Sequence, residues 1–491
     1  MKPRIPQIAP LNKLCQLVTF SVLEEVYPRE QIAALLSQDQ AWEQRERKLN
    51  QLIMVYLLIA WSLMARCSLR RAYDRLLRPL RLKCDDLQES TPSSGALCYR
   101  REQLGVRVFR HLFRLRCRPI ASPSTPGSFA FGLRLMGIDG TKFSVADTPA
   151  NRACFTEHSS SSTTAPPFPK LLATLLVEVG THAIVDGIPA VSHVGESRLV
   201  KGLLRSITSG MLLLMDRGFY SAALFATLTQ LGAHGLCRLA SNRLLGKAEQ
   251  VLCDGSYLIT LTSKDDPQIR EPLTLRVITY RLLPQAASLL EQVTASHSQH
   301  ASGTTNPNVH QIHRLVTTLL DPVQAPALDL IELYYERWEV ELVIDEIKEH
   351  QRLAQEPLVS KYPIGVFQEF YALLLAHYAL RRLMSKAAKL AGQDSDRISF
   401  TYTIELVTDA MLIAPVLLPA QQAQLSDKLV NELSRRDWLL PARRLRFNSR
   451  VIKRSRTRFQ IKRPDHVFLS AKHFPALQDL IRPSFRQILL I

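Results

Sequence analysis

The sequence predicts an α/β protein with a helical N-terminal region, a mixed strand-and-helix core and a β-rich segment at about 241–325. Three observations carry this reading. Residues 1–118 hold long apolar-periodic segments, few glycines and arginines at helical spacing, such as Arg71, Arg75 and Arg78. A Pro/Ser stretch, Pro119 to Ser128, then closes the helical part, and short apolar strand patterns follow it. From about 241 to 325 the pattern alternates along extended segments instead.

Taken in order, Leu52 to Ala65 is an apolar run of fourteen residues. It falls short of the ~20 needed to span a bilayer and predicts a buried helix. Phe131 to Ile138 reads as a strand ending in Asp139-Gly140-Thr141, and Lys170 to Val179 as a second. Gly180-Thr181 is a tight turn into a third, His182 to Ile188. Met211 to Met215 is a wholly apolar strand ending at Asp216, followed by a helix, Ala222 to Leu231, and a buried strand, Gly235 to Leu239. Strands are also expected from Tyr257, over Leu273 to Tyr280 and over His313 to Leu320, with a polar loop at Ser296 to Asn308. A long helix from about Val366 to Leu390 is stopped by Gly392. The expected divisions are a helical N-terminal domain at 1–125, the first part of the core at 126–240 and the β-rich segment at 241–325. The second part of the core follows at 326–395, and a basic C-terminal region at 396–491. The β-rich segment is expected to pack beside the cleft, outside the central sheet.

At 491 residues and 46% hydrophobic content the chain can bury a large core. Its net charge of +18 is concentrated in two places. Arg66 to Arg118 holds fourteen Lys/Arg against five Asp/Glu, and Arg435 to Arg463 holds twelve against one. Two basic patches are the footprint of a polyanionic partner, and the first, on helices that can enter a major groove, makes 1–125 the expected DNA-binding domain. The eight cysteines form no CxxC pair, which argues against a zinc ribbon and a dense disulfide framework. His310 and His313 have no nearby cysteine to complete a ligand set. The N-terminus, with Lys2 and Arg4, lacks a clean signal-peptide pattern, so a cytoplasmic, nucleoid-associated protein away from membranes is expected. No GxxxxGK[ST] phosphate loop supports nucleotide hydrolysis.

The most informative stretch runs from Tyr334 to Lys348. Tyr334, Arg337, Glu341 and Lys348 are separated by two, three and six residues. At about 100° per residue on one continuous helix they fall within an arc of roughly 60°. Leu333, Val340, Ile344 and Ile347 form an adjacent apolar stripe. One face then carries an aromatic hydroxyl, a carboxylate and two cations, a set suited to chemistry on nucleic acid. The plainer reading is a surface helix with i, i+4 pairs such as Arg337 with Glu341.

Asp139 and Asp216 each end an apolar strand in this reading, held by the core yet facing a cleft. With Glu341 they make three carboxylates that could converge, a hard oxygen set suited to Mg²⁺ or Mn²⁺. Two such ions can activate an attacking oxygen and stabilise a leaving oxygen at a phosphodiester. Turn or helix-cap roles are the alternative for either Asp. Asp147, Asp186 and Asp345 compete for the same roles, Asp345 most seriously because it lies near the face of Glu341.

With these residues in place the chain resembles bacterial DDE transposases of the large insertion-sequence family with the Y-(2)-R-(3)-E-(6)-K signature, named for insertion sequence four. Tyr334, Arg337, Glu341 and Lys348 match its spacing, and Ile-Asp139-Gly-Thr and Met-Asp216-Arg-Gly-Phe-Tyr resemble its two Asp motifs. The resemblance covers roughly residues 130–390, and the N-terminal region more loosely. It implies a ribonuclease-H-like core with a β-rich insertion, for which the 125-position separation of Asp216 and Glu341 leaves room. Strands of the insertion continuous with the core sheet would count against it. It further implies cut-and-paste transposition with a DNA hairpin intermediate, two divalent ions on Asp139, Asp216 and Glu341, and DNA phosphates on Tyr334, Arg337 and Lys348. The implied partners are double-stranded DNA, as terminal inverted repeats and target, and a second copy of the chain in a synaptic homodimer. A structure-specific nuclease on the same core, or a non-catalytic DNA-binding derivative, would be the alternatives.

Overall fold

The computed structural model describes residues 19–20, 22–43, 49–83, 91–156, 168–191, 194–240, 248–280, 313–352 and 356–441. The N-terminal part is helical, as its periodicity requires: α1 (Val22–Val26), α2 (Arg29–Gln38), α3 (Gln51–Trp61), α4 (Leu69–Lys83), α5 (Ser94–Leu104) and α6 (Arg107–Arg116). The apolar run is α3, started by the Asn50 side chain accepting from Ile53 N at 2.8 Å. Nearly all of α3 is buried, so it is a core helix, and no described helix is long and apolar enough to cross a membrane.

Among the described residues ten strands follow, β1 (Phe129–Ala130), β2 (Leu133–Ser144), β3 (Lys170–Glu178), β4 (Ala183–Val191), β5 (Met211–Met215), β6 (His234–Arg238), β7 (Gln250–Val251), β8 (Tyr257–Leu261), β9 (Leu273–Tyr280) and β10 (His313–Thr317). All belong to one sheet, ordered β4-β3-β2-β5-β6-β10-β9-β8-β7, with β1 paired to β2. β2, β3 and β4 are antiparallel neighbours, whereas β5 and β6 run parallel to β2. The helices among and after them are α7 (Pro149–Phe155), α8 (Glu196–Leu203), α9 (Ala222–Gln230), α10 (Ala327–Tyr335), α11 (Trp338–Asp345), α12 (Pro363–Ala391), α13 (Phe400–Ile413), α14 (Pro419–Ala423) and α15 (Leu425–Leu433).

Three expectations need correction. β2 begins later than Phe131, because Phe131 and Gly132 both have positive φ and form the two-residue turn from β1. It also runs on past Asp139 to Ser144, because β3 pairs with it along that whole length. Asp139 is therefore a mid-strand residue.

Second, the strands between 250 and 317 are continuous with the central sheet. β10 pairs antiparallel with β6, placing Leu315 opposite Arg238 and Val316 opposite Cys237. Without β10 the edge of β6 would present unpaired backbone groups, and the chain must return there to reach α10. Covering that edge satisfies both needs. The polar loop expected at Ser296 to Asn308 lies outside the described residues.

Third, the stretch 334–348 is not one regular α-helix. Backbone bonds from Glu336 N to Leu333 O, Arg337 N to Tyr334 O and Val340 N to Arg337 O tighten a turn between α10 and α11. A π-helix, Glu346–Gln351, then loosens the chain beyond α11. The helical order 400–433 was not foreseen in a region read only as basic, and the segment 442–491, with most of the second basic patch, lies outside the described residues.

Two apolar layers flank the core part of the sheet. Leu171, Ala173, Leu175 and Val177 of β3 face one layer, with α12 and the N-terminal helices in the same continuous cluster. Met136, Ile138, Leu176, Leu213 and Met215 face the other, under Phe225 and Leu228 of α9. The long helix α12, capped by Gly392 at φ 62°, is thus shared between the sheet and the helical N-terminal part.

Candidate active site

The sheet register brings two of the three carboxylates together. β2 and β5 pair in parallel up to Ile138 opposite Met215. The next residues are Asp139, still within β2, and Asp216, just past β5, so they lie side by side, about 4.8 Å apart in the ladder direction. Asp216 sits where β5 ends and a short 3₁₀ turn, Arg217–Phe219, begins.

The third carboxylate arrives on a helix docked over β2. A Cβ at Gly137 would overlap the Val340 Cγ2 methyl, so only glycine lets α11 lie this close. Gly137 and Asp139 are two residues apart and share one face of the strand. The same contact that seats Val340 therefore carries Glu341 to the face of Asp139. Arg337 joins them: its Nη2 donates to Glu341 Oε1 at 3.0 Å, and its Nη1 lies 3.9 Å from Asp139 Oδ2.

Burial pushes the Asp139 carboxyl up to about 6, against the Gly140 N–H and Arg337, which oppose the rise, while Glu341 and Asp216 add to it. The three carboxylates thus form one electrostatic unit, with Arg337 on the same side. Among the described residues no group of three His, Cys, Asp or Glu stands close enough, as placed, to cage an ion.

The remaining signature residues are placed less uniformly. Tyr334 is buried in the apolar cluster beneath the site, and burial drives its phenol pKa up, with Arg337 opposing and Cys237 and Asp216 reinforcing. Lys348, displaced onto the π-helix, has its ammonium 5.4 Å from the Phe143 ring centre. Phe143 is four residues beyond Asp139 on β2, so Lys348 stands about 13 Å further along the strand. Arg337, expected on phosphate, is turned towards the carboxylates, and the plain i, i+4 pair with Glu341 is present too.

The competing aspartates go elsewhere. Asp147 pairs with Arg152, and Asp186 accepts from Arg205 and Ser206. Asp345 lies 3.7 Å from His350, beside a cavity of about 240 Å³ lined also by Glu346, Arg381 and Asp396. Glu341, and not Asp345, meets the Asp139–Asp216 pair.

Sequence reasoning missed the support behind this helix. His182, at the β3–β4 turn with φ 60°, contacts Glu339 through Nε2 at 2.6 Å and Glu346 through Nδ1 at 2.9 Å. Glu346 also accepts from Arg381 Nε at 2.9 Å and meets His377 Nε2 at 3.0 Å, and all five side chains are buried. The available signal was that neither Glu339 nor Glu346 has a lysine or arginine three or four residues away. Buried carboxylates without local cations imply distant ones.

Comparison with known proteins matches residues 17–114 to the family described as "Insertion element 4 transposase N-terminal" and residues 132–378 to the "Transposase DDE domain". The chain belongs to the IS4 family of DDE transposases. It is 26% identical over 430 residues to the transposase InsG for insertion sequence element IS4 of Escherichia coli (strain K12), covering 86% of this chain and 90% of that one. Its coordinates also align with a cryo-EM structure titled as the piggyBac transposase synaptic complex with hairpin DNA, at TM-score 0.40 and 11% identity over 88% and 87% of the two chains. The protein is an insertion-sequence transposase, an enzyme that cuts and transfers DNA. The continuity of the described strands after β6 with the rest of the sheet therefore does not count against the family.

Proposed function

We propose that Asp139, Asp216 and Glu341 are the catalytic carboxylates of cut-and-paste transposition and hold two divalent ions, Mg²⁺ or Mn²⁺. The single observation that carries this is their convergence, two by the parallel register of β2 and β5 and the third by the Gly137–Val340 contact. The order β4-β3-β2-β5-β6, antiparallel on one side of β2 and parallel on the other, supports a ribonuclease-H-like core. The donor set fits the ions: it is all oxygen, and a desolvated carboxyl flanked by two others gains from a nearby cation. When bound, such ions activate the attacking oxygen and stabilise the leaving one.

The chain's own residues set the stage for that chemistry. Arg337 bridges Glu341 and Asp139, and on DNA binding its guanidinium would turn to a phosphate. Lys348, further along β2, and the Tyr334 hydroxyl grip phosphates near the element end. In the first step water oxygen bonds to phosphorus as the P–O3′ bond breaks, leaving a 3′-hydroxyl on the element end. That hydroxyl attacks the opposite strand to close a hairpin and release the flanking DNA. Hydrolysis reopens the hairpin, and the freed 3′-hydroxyl joins target DNA, displacing a target 3′-oxygen. The partners are double-stranded inverted repeats and target DNA, met by a homodimer at the nucleoid.

The test is Asp139→Asn, Asp216→Asn and Glu341→Gln on a linear end substrate with Mg²⁺. Each is expected to abolish cleavage while keeping end binding intact or tighter. Cleavage retained by any one of them removes that residue from the triad.

A further inference from the structure

A second cationic site lies away from the carboxylates, where helix α6 packs against the edge strand β4. Arg110 and Arg114 are one helical turn apart on α6, so the two guanidinium stems share a face. Arg205, on the 3₁₀ turn Leu204–Ser206, reaches the same edge and donates to the buried Asp186 at 2.6 Å. The phenol of Tyr371, on α12, is within electrostatic range of Arg114, Arg110, Asp186 and Arg205. Arg114 and Tyr371 thus lie within electrostatic range of both Asp186 and Arg205, with Arg110 beside Arg114.

That carboxylate is already committed. Asp186 accepts from Arg205 through Oδ1, and from Ser206 at 2.6 Å through Oδ2. The Nε atoms of Arg110 and Arg114 are buried and have no hydrogen-bond partner. Burial and the Arg205 charge hold the Arg114 guanidinium below its ordinary value, with Tyr371 and Asp186 opposing and Arg110 adding to the effect. Clustered like charges with unfilled donors cost stability unless an anion offsets them.

We propose that Arg110, Arg114 and Arg205, with the Tyr371 hydroxyl, bind a backbone phosphate of duplex DNA at a site separate from the carboxylate triad. The proposal rests on the chain being a DNA transposase, which supplies the polyanion. The site joins the helical N-terminal part to the edge of the core sheet, two strands from β2, or about 10 Å across the ladder. A bound phosphate there fixes one part against the other. It reads no base, since a phosphate oxygen carries no sequence.

The experiment measures binding of a labelled duplex of arbitrary sequence as a function of salt, with thermal unfolding of the same free proteins. Arg110→Gln and Arg114→Gln should each weaken binding by about tenfold. Each should lower the slope of log K against log salt by about 1. Arg114→Lys should keep most of that slope. The midpoint of the free protein should stay unchanged or rise in both glutamine variants, because a repelled cation is removed. A wild-type slope in both, or a lowered midpoint that Arg114→Lys does not restore, would overturn the site and leave these arginines a packing role. Failure of the wild-type protein to bind any duplex would overturn both the site and the DNA reading beneath it.

Discussion

Changing Asp139 to asparagine should make the metal-free protein more stable at neutral pH while removing its activity. The carboxyl is held at about 6 against an ordinary value of 3.8, chiefly by burial. Below about pH 4 it is protonated in both the folded and unfolded states, and the shift has no effect on stability. Between 3.8 and about 6 the folded state binds the proton more tightly, so stability falls as pH rises through this window. Above it, ionised Asp139 costs the folded state about 3 kcal/mol, at about 1.4 kcal/mol per pKa unit. That is an upper figure, since the side chain keeps 21% of its exposure to water. Asparagine has the shape of the protonated acid and no charge to desolvate. Denaturant unfolding in chelator from pH 4 to pH 8 should give equal stabilities at the acid end. The gap should open through pH 6 to about 2–3 kcal/mol in favour of the variant. Adding Mg²⁺ should close part of the gap by stabilising wild type more. A variant no more stable than wild type at pH 8, or a gap independent of pH, would refute the argument that burial beside two carboxylates raises this group.

Gly137→Ala should cut cleavage by about 100-fold with the fold intact, because it displaces the helix carrying Glu341; Val340→Ala in the same chain should recover part of it in a nicking assay, and full activity of Gly137→Ala alone would exclude the docking argument. Asp345→Asn should cleave like wild type where Glu341→Gln does not, and the reverse result would move the third ligand. Glu346→Ala should destabilise the protein by about 3–5 kcal/mol in denaturant unfolding, since Arg381 and His182 are left buried without their shared carboxylate. Lys348→Gln should lower the salt slope of DNA binding by about 1 on end and scrambled duplexes alike, and a loss confined to end DNA would assign it a reading role.

What was legible in the sequence followed from chemistry that is local. Met211 to Met215 could only be a buried strand, and the strand occupies those residues. Leu273 to Tyr280 forms a strand over the residues expected, and Gly392 ends α12 by adopting the positive φ that glycine tolerates. Asp216 was placed correctly because its strand is short and ends where the apolar run ends. Asp139 was misjudged because the length of β2 is decided by β3, a partner far away in sequence, whose pairing carries the strand on to Ser144. The union of β7 to β10 with the sheet was hidden for the same reason: the edge of β6 states its need for a partner only in three dimensions.

The signature helix combines both lessons. Its spacing marks Tyr334, Arg337, Glu341 and Lys348 as a set, yet a regular helix does not describe where they go. The tightened turn at Glu336 and Arg337 and the π-helix from Glu346 change the rotation per residue on either side of Glu341. Glu341 itself is fixed by the sheet below, through Gly137 and Val340, and by the ionic cluster behind, through Glu339 and Glu346 with His182, His377 and Arg381. The cluster grips residues two before and five after Glu341, so the carboxylate is clamped on both sides along the chain while its own side chain meets Arg337 beside Asp139. A π-helix costs backbone order, and here it turns Glu346 into a buried partner for Arg381. The irregular geometry is therefore the means by which one short helix meets an ionic core on one face and a carboxylate pair on the other.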